Sequence, residues 1–215
     1  MKIGLFGGTF DPIHDAHLAV ARAAADRFGL ERVLFVPAAH PPHKAGVTHA
    51  AYEDRVRMAE VACAGEPRFE VSRLEEGTTR SYSIDTIEKL RATLAPDDEV
   101  YFIIGADAFA EIETWHRWRE VARAVRFVVA SRPGHRYAVP QSVHMERLDG
   151  MDLDVSSSEV RRALAAGNRT AEVPQRVMNY IMRKKLYRGR RVQRVCPTAP
   201  EARRAPTRKP PANRP

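Results

Sequence analysis

Short, nearly continuous apolar runs alternate along the chain with longer stretches whose apolar residues recur at helical spacing. Lys2 to Phe6, Arg32 to Val36, Phe69 to Val71, Glu99 to Gly105, Val125 to Ser131 and Met145 to Leu148 have the length and content of strands. From His17 onward Leu18, Val20, Ala21, Ala24, Ala25 and Phe28 mark one helical face. Ala51 to Ala64 marks another, with Val56, Ala59 and Cys63 inward and Arg55 and Arg57 outward. A helix opens at Ser81-Tyr82-Ser83-Ile84-Asp85-Thr86, with Ser83 as N-cap, and runs to Leu94. Val173 to Leu186, with Val177, Tyr180 and Ile181, closes the fold. The run at Glu99–Gly105 is apolar on both of its faces, which predicts a central strand covered above and below. Strands alternating with helices, without internal repeats, predict an α/β fold: a doubly wound parallel sheet with its site along the strands' carboxyl edge.

Length and charge change this picture only at one end. A chain of 215 residues suits one domain of 1–189 with a tail of 190–215. The tail holds eight Lys/Arg against the single Glu201, leaving the body with 27 basic and 26 acidic residues. The basic balance therefore belongs to the tail and does not argue for nucleic acid as a partner of the folded part. Rich in proline and arginine and poor in apolar residues, the tail is expected to be disordered. It reads as a solvated extension before it reads as a basic arm for RNA, a membrane or an acidic partner. Cys63 and Cys196 have neither zinc-site nor disulfide-framework spacing, which fits a reducing cytoplasm. No apolar run approaches the ~18 residues of a membrane span, so neither insertion nor secretion is expected. Oligomeric state is left open, with a homo-oligomer allowed.

The candidate chemistry starts where the first strand meets the first helix, at Gly7-Gly8-Thr9-Phe10-Asp11-Pro12-Ile13-His14-Asp15-Ala16-His17. Adjacent glycines permit positive φ and a close approach of a ligand to the main chain. The helix start behind them offers unpaired N–H groups and a partial positive charge, which suits phosphate. His14 and His17, spaced i to i+3, can present their rings on one face as hydrogen-bond donors. A second helix start of similar character lies at Val155-Ser156-Ser157-Ser158-Glu159-Val160-Arg161, where three hydroxyls and one guanidinium can face an anion. Lys44 lies on the proline-punctuated loop Ala38-Ala39-His40-Pro41-Pro42-His43-Lys44 at a strand's carboxyl end. Asp107, just past the central strand at Gly105-Ala106, can hydrogen-bond ribose hydroxyls or cap the next helix. Arg132 can clamp a phosphate. Each feature has a plain reading beside this one: a tight turn, solvated histidines, a surface lysine, an ordinary serine cap.

Together, and in this order, the motifs resemble the nucleotidyltransferase superfamily with the HxGH motif, and more narrowly the bacterial nicotinate-nucleotide adenylyltransferases. The first stretch is similar to GGTFDPIHxGH from Gly7 to His17, with Ala16 where that family usually has glycine. VPAxxPPHK around Lys44, SYTxDT around Ser81-Tyr82-Ser83, GAD followed by Trp115-His116-Arg117-Trp118, and ISSTxxR at Val155–Arg161 extend the resemblance over residues 1 to 189. It implies a Rossmann-like domain that transfers AMP from ATP to nicotinate mononucleotide, with Mg²⁺ carried on the ATP phosphates and no metal held by protein side chains. On this resemblance Gly7, Gly8, Thr9, Phe10, His14, His17, Gly105, Asp107, Ser156, Ser157, Ser158 and Arg161 hold ATP. Lys44, Ser81, Tyr82, Ser83, Asp107, Trp115 and Arg132 hold the acceptor, with Trp115 stacked on the pyridine ring and Trp118 left to packing. Catalysis falls to His14, His17, Lys44 and Arg161.

No nucleophile or paired carboxylate stands out, and none is needed. A phosphomonoester is already ionised near neutral pH, its second pKa being ~6. Two other readings stay open at this point. One is an adenylyltransferase of the pantetheine-phosphate type, against which the SYS, GAD and tryptophan segments argue. The other is a non-catalytic nucleotide-binding regulator, which ATP binding without turnover on any acceptor would favour.

Overall fold

The computed structural model describes residues 1–40, 48–131, 137–141, 143–150, 155–169 and 171–188. Lys44, Arg132 and the tail 190–215 lie outside them. Among the described residues six strands form one sheet: β1 (Lys2–Gly8), β2 (Arg32–Pro37), β3 (Phe69–Val71), β4 (Glu99–Gly105), β5 (Arg126–Ala130) and β6 (Met145–Leu148). All pairings are parallel, in the order β3-β2-β1-β4-β5-β6. The winding direction reverses between β1 and β4, and such a switch point opens a crevice at the carboxyl ends of the two strands.

Parallel strands need crossovers, and the crossovers cover both faces. The helices α1 (Asp15–Phe28), α2 (Tyr52–Cys63), α6 (Ser157–Ala165) and α7 (Gln175–Lys184) pack on one face. There Phe6, Phe35, Tyr101, Ile103 and Val128 point from the strands into the core. The helices α3 (Ser83–Arg91), α4 (Ala106–Ala110) and α5 (Trp118–Ala124), with a 3-10 turn at Ile112–Thr114, pack on the other. Ile3, Leu5, Leu34, Phe102, Ile104 and Phe127 face them. Alternate residues of β1 and β4 thus feed two separate cores, as the period of a strand requires.

The expected strands and helices are all present, with boundaries moved by a few residues. Helix α1 begins at Asp15 with His14 as its N-cap and stops at Gly29, which takes the left-handed conformation at φ 65. Helix α3 has Tyr82 as N-cap, so Ser83 is its first helical residue rather than its cap. Arg55 does not point outward. It is 1% exposed and lies on the buried face of α2 with Met58 and Ala59.

Candidate active site

The β1–α1 loop departs from expectation in how it turns. Neither Gly7 nor Gly8 takes positive φ; Phe10 does, at φ 49. A left-handed phenylalanine is costly, of order ~1–2 kcal/mol, and packing holds it: the ring is 2% exposed, 5.7 Å from Phe6, 5.8 Å from Phe35 and 5.1 Å from the ring of His17. Gly8 is required by that ring, because a Cβ at Gly8 would stand 2.8 Å from Phe10 carbons. The glycine serves the phenylalanine's turn, and the turn delivers His14 to the helix start.

His14 and His17 are stacked, their ring centroids 3.7 Å apart. The His14 main-chain N–H donates to Nδ1 of His17 at 3.2 Å, so the ring proton of neutral His17 sits on Nε2 and makes it a donor. Burial lowers the pKa of His14 to about 4, which keeps its imidazole neutral at pH 7. Its Nδ1 is buried without a hydrogen-bond partner among the described residues, leaving unspent capacity in the wall of the crevice.

Across the crevice α6 starts with a reciprocal cap. Ser156 Oγ accepts from the Glu159 N–H at 3.3 Å, and the Glu159 carboxylate accepts from the Ser156 N–H at 2.9 Å and from its hydroxyl at 2.7 Å. Ser157 Oγ donates to the Pro12 carbonyl at 3.0 Å, and Arg161 donates to the Asp11 carbonyl at 2.7 Å and to Ser158 Oγ at 3.0 Å. All three hydroxyls thus have protein partners, and that of Ser157, with Arg161, ties α6 to the β1–α1 loop. What remains toward an anion is the main-chain N–H of Ser157 and of Ser158, which helix geometry orphans, and the rest of the Arg161 fork.

These groups line one cavity of about 460 Å³ at the carboxyl ends of β1 and β4, a size that suits a nucleotide. Gly7, Gly8, Phe10, His14, His17, Gly105, Asp107, Ser156, Ser157, Ser158 and Arg161 are all in its wall, with Ala16. Thr9 is not; its carbonyl is turned away to Arg55. Among the described residues no three His, Cys, Asp or Glu side chains converge to hold a metal ion.

Ser81, Tyr82, Ser83 and Trp115 do not line that cavity. Tyr82 and Trp115 pack against the core on the opposite sheet face. Trp115 stands edge-on to Phe102 at 6.0 Å, and Tyr82 lies 4.4 Å from the ring of His116, an aromatic pair that the sequence did not single out. Ser81 is a tie: its hydroxyl accepts from the His40 N–H at 2.8 Å, and its N–H donates to the His40 carbonyl at 3.1 Å. Buried Glu75, also missed, accepts from Ala39 N–H at 3.2 Å and Thr86 Oγ1 at 2.9 Å, fixing the end of β2 to α3.

A parallel sheet with a nucleotide-sized crevice at its switch point, walled by two helix starts, is built to hold a nucleotide, and the class is given by a family profile described as cytidylyltransferase-like that matches residues 5–163. The probable nicotinate-nucleotide adenylyltransferase of Solibacter usitatus is 66% identical over 187 residues, covering 87% of this chain and 100% of its own. That of Pelobacter propionicus is 40% identical over 214 residues, covering 87% of this chain and 98% of its own. The chain belongs to the nicotinate-nucleotide adenylyltransferase family. Among solved structures, Plasmodium falciparum nicotinic acid mononucleotide adenylyltransferase complexed with NaAD has a TM-score of 0.71 at 18% identity, over 86% of this chain and 97% of that one, a likeness of fold.

Proposed function

We propose that the chain transfers the adenylyl group of ATP to nicotinate mononucleotide, giving nicotinate adenine dinucleotide (deamido-NAD) and pyrophosphate, as a step of NAD biosynthesis in the cytoplasm. The observation that carries this reading is the single cavity in which the imidazole pair of α1 faces the N–H groups and guanidinium of α6. A phosphate oxygen of the mononucleotide attacks the α-phosphorus of ATP; that bond forms as the bond from the α-phosphorus to the bridging oxygen breaks, and the electron pair leaves with pyrophosphate. The acceptor phosphate is already ionised, so no side chain has to remove a proton. The work left to the protein is alignment and stabilisation of charge moving onto the leaving group. We assign that role to Arg161, the N–H groups of Ser157 and Ser158, and Nε2–H of His17, with His14 holding the loop and lending a neutral imidazole.

Mg²⁺ enters as part of the substrate, bound to ATP oxygens. Asp107 and Gly105 at the end of β4 face the ribose. Trp115, with the Tyr82–His116 pair, receives the pyridine ring, and the start of α3 its carboxylate. Lys44 and Arg132 are assigned to the phosphates, Lys44 in transfer and Arg132 at the mononucleotide.

The test is kcat/KM with nicotinate mononucleotide, nicotinamide mononucleotide and 4′-phosphopantetheine as acceptors, followed by pyrophosphate release. The reading expects the nicotinate form to be preferred. Preference for phosphopantetheine, or ATP binding without pyrophosphate release on any acceptor, contradicts it.

A further inference from the structure

The loop that carries the imidazoles is braced from behind by groups that take no part in the transfer. Arg55, 1% exposed, donates to the Thr9 carbonyl at 2.7 Å. Asp11, 3% exposed, accepts at its carboxylate from His49 N–H at 2.7 Å, Ala50 N–H at 3.1 Å and the Tyr187 hydroxyl at 2.7 Å. The carbonyl of the same Asp11 accepts from Arg161 at 2.7 Å. One residue thus joins the loop, the segment leading into α2, the turn that follows α7 and the guanidinium of the crevice.

A buried carboxylate is expensive unless its lone pairs are filled, and here two amides and a phenol fill them. Apolar contacts alone would dock the end of α7 at lower cost. The chain instead sends Tyr187, at φ 55, back across the fold to a residue that sits in the loop ahead of His14. Burial and the neighbouring carboxylate push the Tyr187 phenol well up from its usual range, so it stays a donor at any physiological pH.

We infer that Tyr187 is a positioning residue for adenylyl transfer: its hydroxyl fixes Asp11, and the Asp11 carbonyl in turn aims Arg161 at the phosphates. The inference rests on the reaction proposed above. Because Tyr187 acts at the phosphate end, its loss falls on turnover and on ATP, and the acceptor end near Tyr82 and Trp115 is untouched.

The experiment uses the full chain and the variants Tyr187→Phe, Asp11→Asn and both together. It records kcat, KM for ATP and for nicotinate mononucleotide, the thermal midpoint, and calorimetric binding of a non-hydrolysable ATP analogue. Tyr187→Phe is expected to lower kcat about tenfold (~1.4 kcal/mol) while KM for nicotinate mononucleotide stays within about twofold. The double variant is expected to lose no more than Asp11→Asn alone, since both act through one contact. If kcat per folded molecule in Tyr187→Phe stays within about twofold of the parent (~0.4 kcal/mol) and only the midpoint falls, Tyr187 is a structural latch and the inference is overturned. Should Tyr187→Phe not fold, Asp11→Asn is read by the same criterion. A parent that binds the analogue yet makes no deamido-NAD refutes the assigned reaction; the positioning role is then decided by the analogue's affinity, about tenfold weaker in Tyr187→Phe if it holds and equal if it does not.

Discussion

The two helix starts that face each other across the crevice look alike in the sequence and differ in what they offer. At α1 the first N–H groups are already taken: His14 N–H by His17, and Asp15 N–H by the Glu172 carbonyl at 3.2 Å. What α1 presents is a pair of imidazoles, one of them held neutral by burial, beside the Ala16 N–H. At α6 the serines are consumed in capping and bracing, and what faces the crevice is orphan N–H groups backed by a permanent cation, Arg161. One wall supplies directed hydrogen bonds from imidazoles, and the other adds the charge of a guanidinium. A leaving pyrophosphate gains negative charge, so the charged wall should carry more of the rate.

That asymmetry orders the expected effects. Arg161→Ala should lower kcat/KM by up to ~1,000-fold (~4 kcal/mol). Arg161→Lys should recover part of it, keeping charge without the fork. His17→Ala should cost ~100-fold (~2.7 kcal/mol); a value within about threefold of the parent (~0.65 kcal/mol) would remove that imidazole from the mechanism. His14 should show itself in stability. Its folded pKa of about 4 lies below the unfolded value of 6.5. Between the two the unfolded chain binds the extra proton, so this contribution is complete above the upper value and is lost as pH falls toward the lower. Urea melts should therefore weaken across that window by at most ~1.4 kcal/mol per pH unit, and His14→Asn should flatten the slope. The smallest effect is expected at Ser156→Ala, which removes a cap worth ~1 kcal/mol and leaves the N–H groups of Ser157 and Ser158 in place. A loss of activity in Ser156→Ala as large as that in Arg161→Ala would erase the distinction between cap and charge.

The sheet, its winding and the gathering of both motifs were legible because strand-length apolar runs and helical spacing carry that information directly. The loop's mechanics were not. Adjacent glycines suggested positive φ, but the turn passes to Phe10, since packing on Phe6 and Phe35 outweighs the backbone preference. Arg55 was read as outward because of its charge, although its spacing to Met58 and Ala59 already placed it on the buried face; the acceptor that makes burial tolerable, Thr9 O, is remote in sequence. The Asp11–Tyr187 contact spans nearly the whole chain, and no local pattern encodes a pairing of that kind. The serines read as cap and anion contacts do line the crevice, and the protein partners of their hydroxyls, such as Pro12 O for Ser157, are too remote in sequence to be read from it.

The most direct test of the central claim is a crystal structure of the protein with a non-hydrolysable ATP analogue and nicotinate mononucleotide. The account predicts the triphosphate between the imidazoles of His14 and His17 and the first turn of α6, with Arg161 on its outer phosphates and the pyridine ring near Tyr82 and Trp115. Phosphates seated at the amino ends of the strands, or touching only one of the two helix starts, would contradict it.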